Sequence, residues 1–97
     1  MSFTKGEVRH FIAFDEETGW LGEVEAHFRQ AVSFQGSRGR PRHLTEWWVP
    51  ALNANLLRGD RLFDTEVEAV QEAKALVGGP TWEQRAQRYR EHQEEVG

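Results

Sequence analysis

The sequence predicts an α+β domain, an antiparallel meander of three or four strands followed by two C-terminal helices. Three observations predict it. Apolar and polar residues alternate through much of residues 1–63. Glycine-bearing polar segments interrupt that run where hairpins would turn. From Thr65 the apolar period lengthens to that of a helix, behind the capping pattern Thr65-Glu66-Val67-Glu68. At 97 residues the chain reads as a single domain 1–97, strand-rich over 1–63 and helical over 64–97. Only 38% of its residues are hydrophobic, but six Phe, four Trp and one Tyr are among them. Each such ring buries roughly 150–250 Å², so the expected core is thin and made mainly of rings.

The first strand spans residues 6–14. Its alternation directs Val8, His10, Ile12 and Phe14 to the buried side and Glu7 and Arg9 outward, although Phe11 and Ala13 make the outer side partly apolar too. The polar segment 15–19 ends in Gly19, which supplies the positive φ of a hairpin turn. Residues 20–36 fit one bent strand, two strands or a helix. The even positions hold their apolar parity throughout and a hairpin precedes them, which favours a strand. Seventeen residues exceed an ordinary strand, so a bulge or bend is expected near Arg29-Gln30.

Gly39 and Pro41 mark residues 37–42 as loop. The next strand covers 44–52, with Trp47, Val49 and Ala51 on one face and Glu46 and Trp48 on the other. Pro50 belongs at its end, because proline cannot donate to a ladder. Residues 53–60 are irregular with a turn at Gly59-Asp60, and Arg61 to Phe63 form a short last strand. A helix from Glu66 to about Val77 turns Val67, Val70, Ala73 and Val77 inward and stops at Gly78-Gly79-Pro80. Thr81 opens a second helix with a stripe of Trp82, Ala86, Tyr89 and Val96. Arg88 with Glu91 and Arg90 with Glu94 stand at ion-pair spacing along it.

The net charge of −4 is unevenly distributed. Residues 1–28 and 62–97 each carry −4, whereas 29–61 carry +4 from six arginines and two acids. Such asymmetry concerns partners rather than fold. Within the basic third, Arg38-Gly39-Arg40-Pro41 resembles the core of an AT-hook. That resemblance implies an extended Arg-Gly-Arg laid along the minor groove of A·T-rich DNA, glycine allowing close approach and proline keeping the chain straight. The other reading is a hairpin loop kept polar by its arginines. Trp47-Trp48 follows closely, and in a strand the two rings point to opposite faces. One fills the core; the other is either covered by the C-terminal helix or left as an anchor on which a base could stack.

The sequence has no cysteine, which excludes disulfides, thiolate metal sites and a cysteine nucleophile. His10 reads as half-buried. Glu25 with His27, and His43 with Glu46, lack a third convergent ligand, so no metal site is expected. Ser2, Ser33 and Ser37 have no base at triad spacing, and Asp15-Glu16-Glu17 reads as a solvated loop. Arg58-Gly59-Asp60 spells an adhesion tripeptide, but without a secretion signal it reads as a turn. No enzyme activity and no cofactor are expected. MSFTKGEVRH has neither the apolar run nor the cleavage pattern of a signal peptide, and no segment has the ~20 apolar residues of a membrane span. The expectation is therefore a cytoplasmic, non-membrane protein.

The expected function is non-catalytic: a small binding or regulatory protein acting on a protein partner, in the manner of antitoxins and phage-encoded inhibitors. The basic loop, Arg38, Arg40 and Arg42 with an exposed Trp48, is one candidate surface for that partner, and the alternative is nucleic-acid binding through the same residues. The charged C-terminal helix, with Arg85 and Arg88, is a second candidate surface, for another chain or for its own copy.

Overall fold

The computed structural model describes residues 3–35, 39 and 41–96, without the side chains of 95 and 96. Five strands form one antiparallel sheet: β1 (Val8–Phe14), β2 (Leu21–Gln35), β3 (Pro41–Val49), β4 (Ala54–Leu57) and β5 (Leu62–Phe63). Two helices follow, α1 (Glu66–Val77) and α2 (Gly79–Val96). The strand order is β4-β3-β2-β1-β5. This is the α+β architecture expected, with one strand more than the sequence suggested. The extra strand is β4, whose Ala-Asn-Leu-Leu is too short and too lightly patterned to stand out.

The sheet curls on itself. Arg58, just beyond β4, donates its backbone N–H to the Thr45 carbonyl at 3.0 Å and bridges to Leu62 of β5. The two ends of the sheet thereby approach each other, and the concave face closes over its own core. Phe11, Ala13, Val24, Ala26, Phe28, Trp47, Val49 and Leu62 fill that interior. Trp47 is wholly buried and meets Phe3, Phe11 and Phe28 edge-on, with ring centroids 4.9–5.2 Å away. Aromatic pairs at this spacing gain beyond their buried area.

The convex face carries a second core under the helices. Phe14 lies against Phe63 and Trp82, and Ala69 and Ala73 bring α1 close. β1 is thus apolar on both faces, and its sequence parity misleads. Phe11 and Ala13 point into the curl, Ile12 and Phe14 point under the helices, and Val8 and His10 are exposed. Neither of the last two has a helix above it.

Thr65 caps α1 as its pattern predicts, accepting from the Glu68 N–H at 3.3 Å. Of the residues expected inward on α1, Ala73 is buried and Val70 and Val77 pack half-buried, but Val67 is 67% exposed and Ala69 is buried in its place. Small residues face the sheet because they let the helix axis approach it. α2 begins earlier than expected. Gly78 turns with φ 88°, and Gly79 and Pro80 already lie in the helix, where proline's missing N–H has no partner to lose. Thr81 therefore sits inside the first turn and is not the cap. Trp82 is buried, Ala86 and Tyr89 are half-buried, and Val96's side chain lies outside those described. Glu91 accepts from Gln87 at 3.1 Å instead of pairing with Arg88.

The β1–β2 hairpin seats α2. The Asp15 carboxylate accepts from the N–H groups of Glu17 and Thr18, and Gly19 completes the turn at φ 82°. A Cβ on Gly19 would collide with the α2 backbone at Arg85 and Ala86. Arg85 reaches across to donate to the Glu16 carbonyl at 2.5 Å.

Candidate functional site: the β2–β3 arm

β2 is long because it belongs to two structures. Residues 21–27 pair with β1 on one side, and residues from His27 onward pair with β3 on the other. Where these regimes meet, the register shifts between Phe28 and Gln30, so Arg29 is the bulged residue. The bend falls where the sequence placed it, because a strand leaving a curled sheet must change direction there.

Beyond the bulge, residues 30–35 pair only with β3, and residues 41–44 only with β2, among the described residues; at the foot Thr45 and Glu46 still meet Arg58 and Leu57. They form a two-stranded arm that leaves the body. Five steps from Gln30 to Gln35 reach about 17 Å. The radius of gyration is 14.9 Å, against about 12.5 Å for a compact chain of this length. The arm contributes to that excess.

Its two faces differ. One continues the face of Trp47 with Ala31 opposite Thr45 and Ser33 opposite His43. The Trp47 indole N–H donates to Thr45 Oγ1 at 2.8 Å, and Ser33 Oγ bonds His43 Nδ1 at 2.9 Å. The other face continues that of Trp48. Gln30 lies opposite Glu46, bonded at 3.1 Å, Val32 opposite Leu44, and Phe34 opposite Arg42. Trp48, Leu44 and Val32 are half-buried and Phe34 is 43% exposed. An interrupted apolar stripe therefore runs from the body to the basic tip.

Of the AT-hook-like tetrapeptide, only Gly39 and Pro41 are described. Arg38 and Arg40 lie outside the described residues. Gly39 has φ 75° and its carbonyl accepts from Gln35 Nε2 at 3.3 Å, while Pro41 opens β3. Arg42 and Arg29 are exposed. The other two arginines of the basic third belong to the body. Arg58 pairs with Asp64 at 2.5 Å and lies over the Phe11 ring; Arg61 is 3.8 Å from Glu16 and lies over Phe14. Residues 29–46 then carry +3, from four arginines and Glu46, and the rest of the chain −7.

Trp48 is half-buried and does not belong to the cluster under the helices, so its ring remains a candidate anchor. Arg85 is engaged with the Glu16 carbonyl, and Arg88 is exposed on α2. Neither is near the arm in sequence or shares an element with it. Val32, Phe34 and Leu44 went unremarked in the sequence as partner residues. The one signal for them is an uncharged strand, Gln-Ala-Val-Ser-Phe-Gln, running into an arginine-rich turn.

Chemistry elsewhere is sparse. A groove of about 350 Å³ at the foot of the arm is lined by His43, Thr45, Arg58, Leu62, Asp64 and Glu68 among others. His27 bonds Glu25 at 3.0 Å, whereas His43 and Glu46 fall on opposite faces of β3. Among the described residues no three His, Asp or Glu side chains converge as a metal site. The Glu7 carboxyl is held below its ordinary range, chiefly by the hydrogen bond from Arg9 at 2.7 Å. It sits on open surface, as a structural pair does. Among the described residues no helix is long and apolar enough to cross a membrane. No known protein family, curated protein or solved structure matches the chain.

Proposed function

We propose that this protein is a non-catalytic binding module that grips a protein partner with its β2–β3 arm. The observation carrying the reading is the arm's Trp48 face. An apolar stripe with Arg42, Gln30 and Glu46 beside it has the make-up of a small protein interface, apolar at the centre and polar at the rim. Solvated on both faces, such a ribbon adds little to the core. Its use therefore lies outside the fold. Regulation or inhibition of the partner, in the cytoplasm, is the role this reading assigns.

One observation favours a second reading, nucleic-acid binding. The acidic body repels a polyanion, but screening confines that repulsion to about 8 Å at physiological salt. Arg42, opposite Phe34 and four residue steps beyond Gln30 on β2, stands about 14 Å out along the arm, between one and two such lengths.

The test compares the parent with a variant bearing alanine at Arg38, Arg40 and Arg42 and with a Phe34→Ala, Trp48→Ala variant. Affinity capture from nuclease-treated extract of the native host, read by mass spectrometry, should recover one protein with the parent and lose it with the Phe34, Trp48 variant. Fluorescent A·T-rich and G·C-rich duplexes, titrated in parallel, should bind weakly or not at all. Tight, A·T-selective duplex binding that weakens steeply with salt and vanishes in the arginine variant would replace the first reading by the second.

A further inference from the structure

We propose that the outer edge of β2 pairs with the same edge of a second copy, joining two arms into one ribbon across a two-fold axis. Such pairing uses the edge of the arm and leaves its two faces free for the partner proposed above.

The direction of the free hydrogen-bonding groups follows from the ladder. The Thr45 carbonyl accepts from the Arg58 N–H, so Thr45 directs its backbone groups toward β4 and away from β2. Its opposite number Ala31 must then direct its own N–H and C=O away from β3. Ser33 and Gln35 follow by alternation. Among the described residues nothing pairs with these groups, because β1 ends alongside Phe28, whose N–H and C=O are taken by Glu7 and Gly6.

Natural edges are guarded by charge, proline or a cover. The outer edge of β3 has Pro41, Arg42 and His43. The edge of β2 has none of these: residues 30–35 are Gln-Ala-Val-Ser-Phe-Gln, uncharged, without proline, and rich in strand-forming residues. An unguarded edge is a pairing template.

The second copy fits this template better than an arbitrary strand does. Only a register that sets outward-pointing residues against outward-pointing residues closes hydrogen bonds. Centred on Ser33, it sets Ser33 against Ser33 of the second copy and Ala31 against Gln35. Val32 then falls opposite Phe34 of the other copy at a close, non-bonded pair, twice over. With Leu44 behind Val32 on each arm, the apolar stripes merge into one patch. Antiparallel pairing also sends the two basic tips to opposite ends, which separates the like charges. Five residues a side is far below the roughly 20–30 of a standard interface, so the dimer is weak and reversible.

Sedimentation equilibrium from micromolar to millimolar protein tests this on the full chain. The parent should pass from monomer to dimer and stop. Ser33→Pro removes an N–H that β3 does not use, a site where an edge strand tolerates proline. It deletes two bonds at the axis, each worth about a factor of five, so dimerisation should weaken roughly thirtyfold. Ser33→Lys, which opposes two like charges across the axis, should weaken it as a second variant, and circular dichroism should show both folded like the parent. A parent that stays monomeric throughout, one that grows past the dimer, or folded variants that associate as the parent does would each overturn the proposal.

Discussion

Replacing Trp47 by alanine would remove a fully buried ring that touches Phe3, Phe11 and Phe28, and so ties the N-terminal segment, β1, β2 and β3 together. The expected cost is about 3–5 kcal/mol, a large fraction of a small domain's stability. Its neighbour Trp48, half in water on the opposite face, should cost only about 1–2 kcal/mol on truncation. Urea melts of the two variants check the contrast, and equal losses would mean that both rings are structural. Parity places Trp47 and Val49 on one face and Trp48 on the other, and it is the Trp47 face that is buried, up to Pro50, which ends the strand and opens a single 3₁₀ turn. Ala51, expected on the same face of a longer strand, lies in that turn and is exposed. The burial of His10 was misread for a related reason. Parity assigns a face, but only the tertiary structure decides whether that face is covered at a given height.

Among the elements, the charge and narrow apolar stripe of α2 suggest a helix that docks only partly. Its contact with the β1–β2 turn is instead backbone to backbone, through Gly19, with Trp82 buried beside Phe14. A glycine gives no hydrophobic signal, so this contact could not be read from apolar patterning. Gly19→Ala should cost at least about 1–2 kcal/mol for the left-handed backbone, with the collision against Arg85 and Ala86 in addition. Gly6→Ala is the control: its φ is 85° and nothing lies near its missing Cβ, so it should incur the backbone cost alone. Thermal melts of the pair isolate the helix contact, and equal shifts would show that α2 does not rest on the turn. The cap at Thr65 and the length of α1 were legible, because capping depends on residues within one turn. The inward face of α1 was legible at Val70, Ala73 and Val77 but not at its start: Val67 outranks Ala69 in hydrophobicity, but closeness to the sheet selects alanine.

Over the whole molecule, charge and shape divide in the same way: a curled, helix-backed body of net −7 and an arm of net +3 leaving it at the Arg29 bulge. The basic third was visible in the sequence, but its partition was not. Arg58 and Arg61 turn inward to Asp64, Glu16 and the rings beneath them. The arm was hidden because residues 30–35 read like any core strand. Their exposure follows from where β1 and β4 end, and no local pattern encodes that. The candidate site was thus half legible: its arginines and Trp48 were, its apolar stripe and free edge were not.

In the proposed function the arm serves binding and the body folds without it. Replacing residues 33–43 by Asn-Gly tests this directly. Val32 and Leu44, a hydrogen-bonded pair by the alternation of the ladder, would then be joined by a two-residue hairpin turn. The deletion spares Thr45, which the Trp47 indole and the Arg58 N–H both use. Thermal unfolding followed by circular dichroism should give a cooperative transition within a few degrees of the parent's, as expected when less than about 1 kcal/mol is lost. A trimmed chain that is unfolded, or that melts far below the parent, would contradict the claim and make the arm a structural part of the fold.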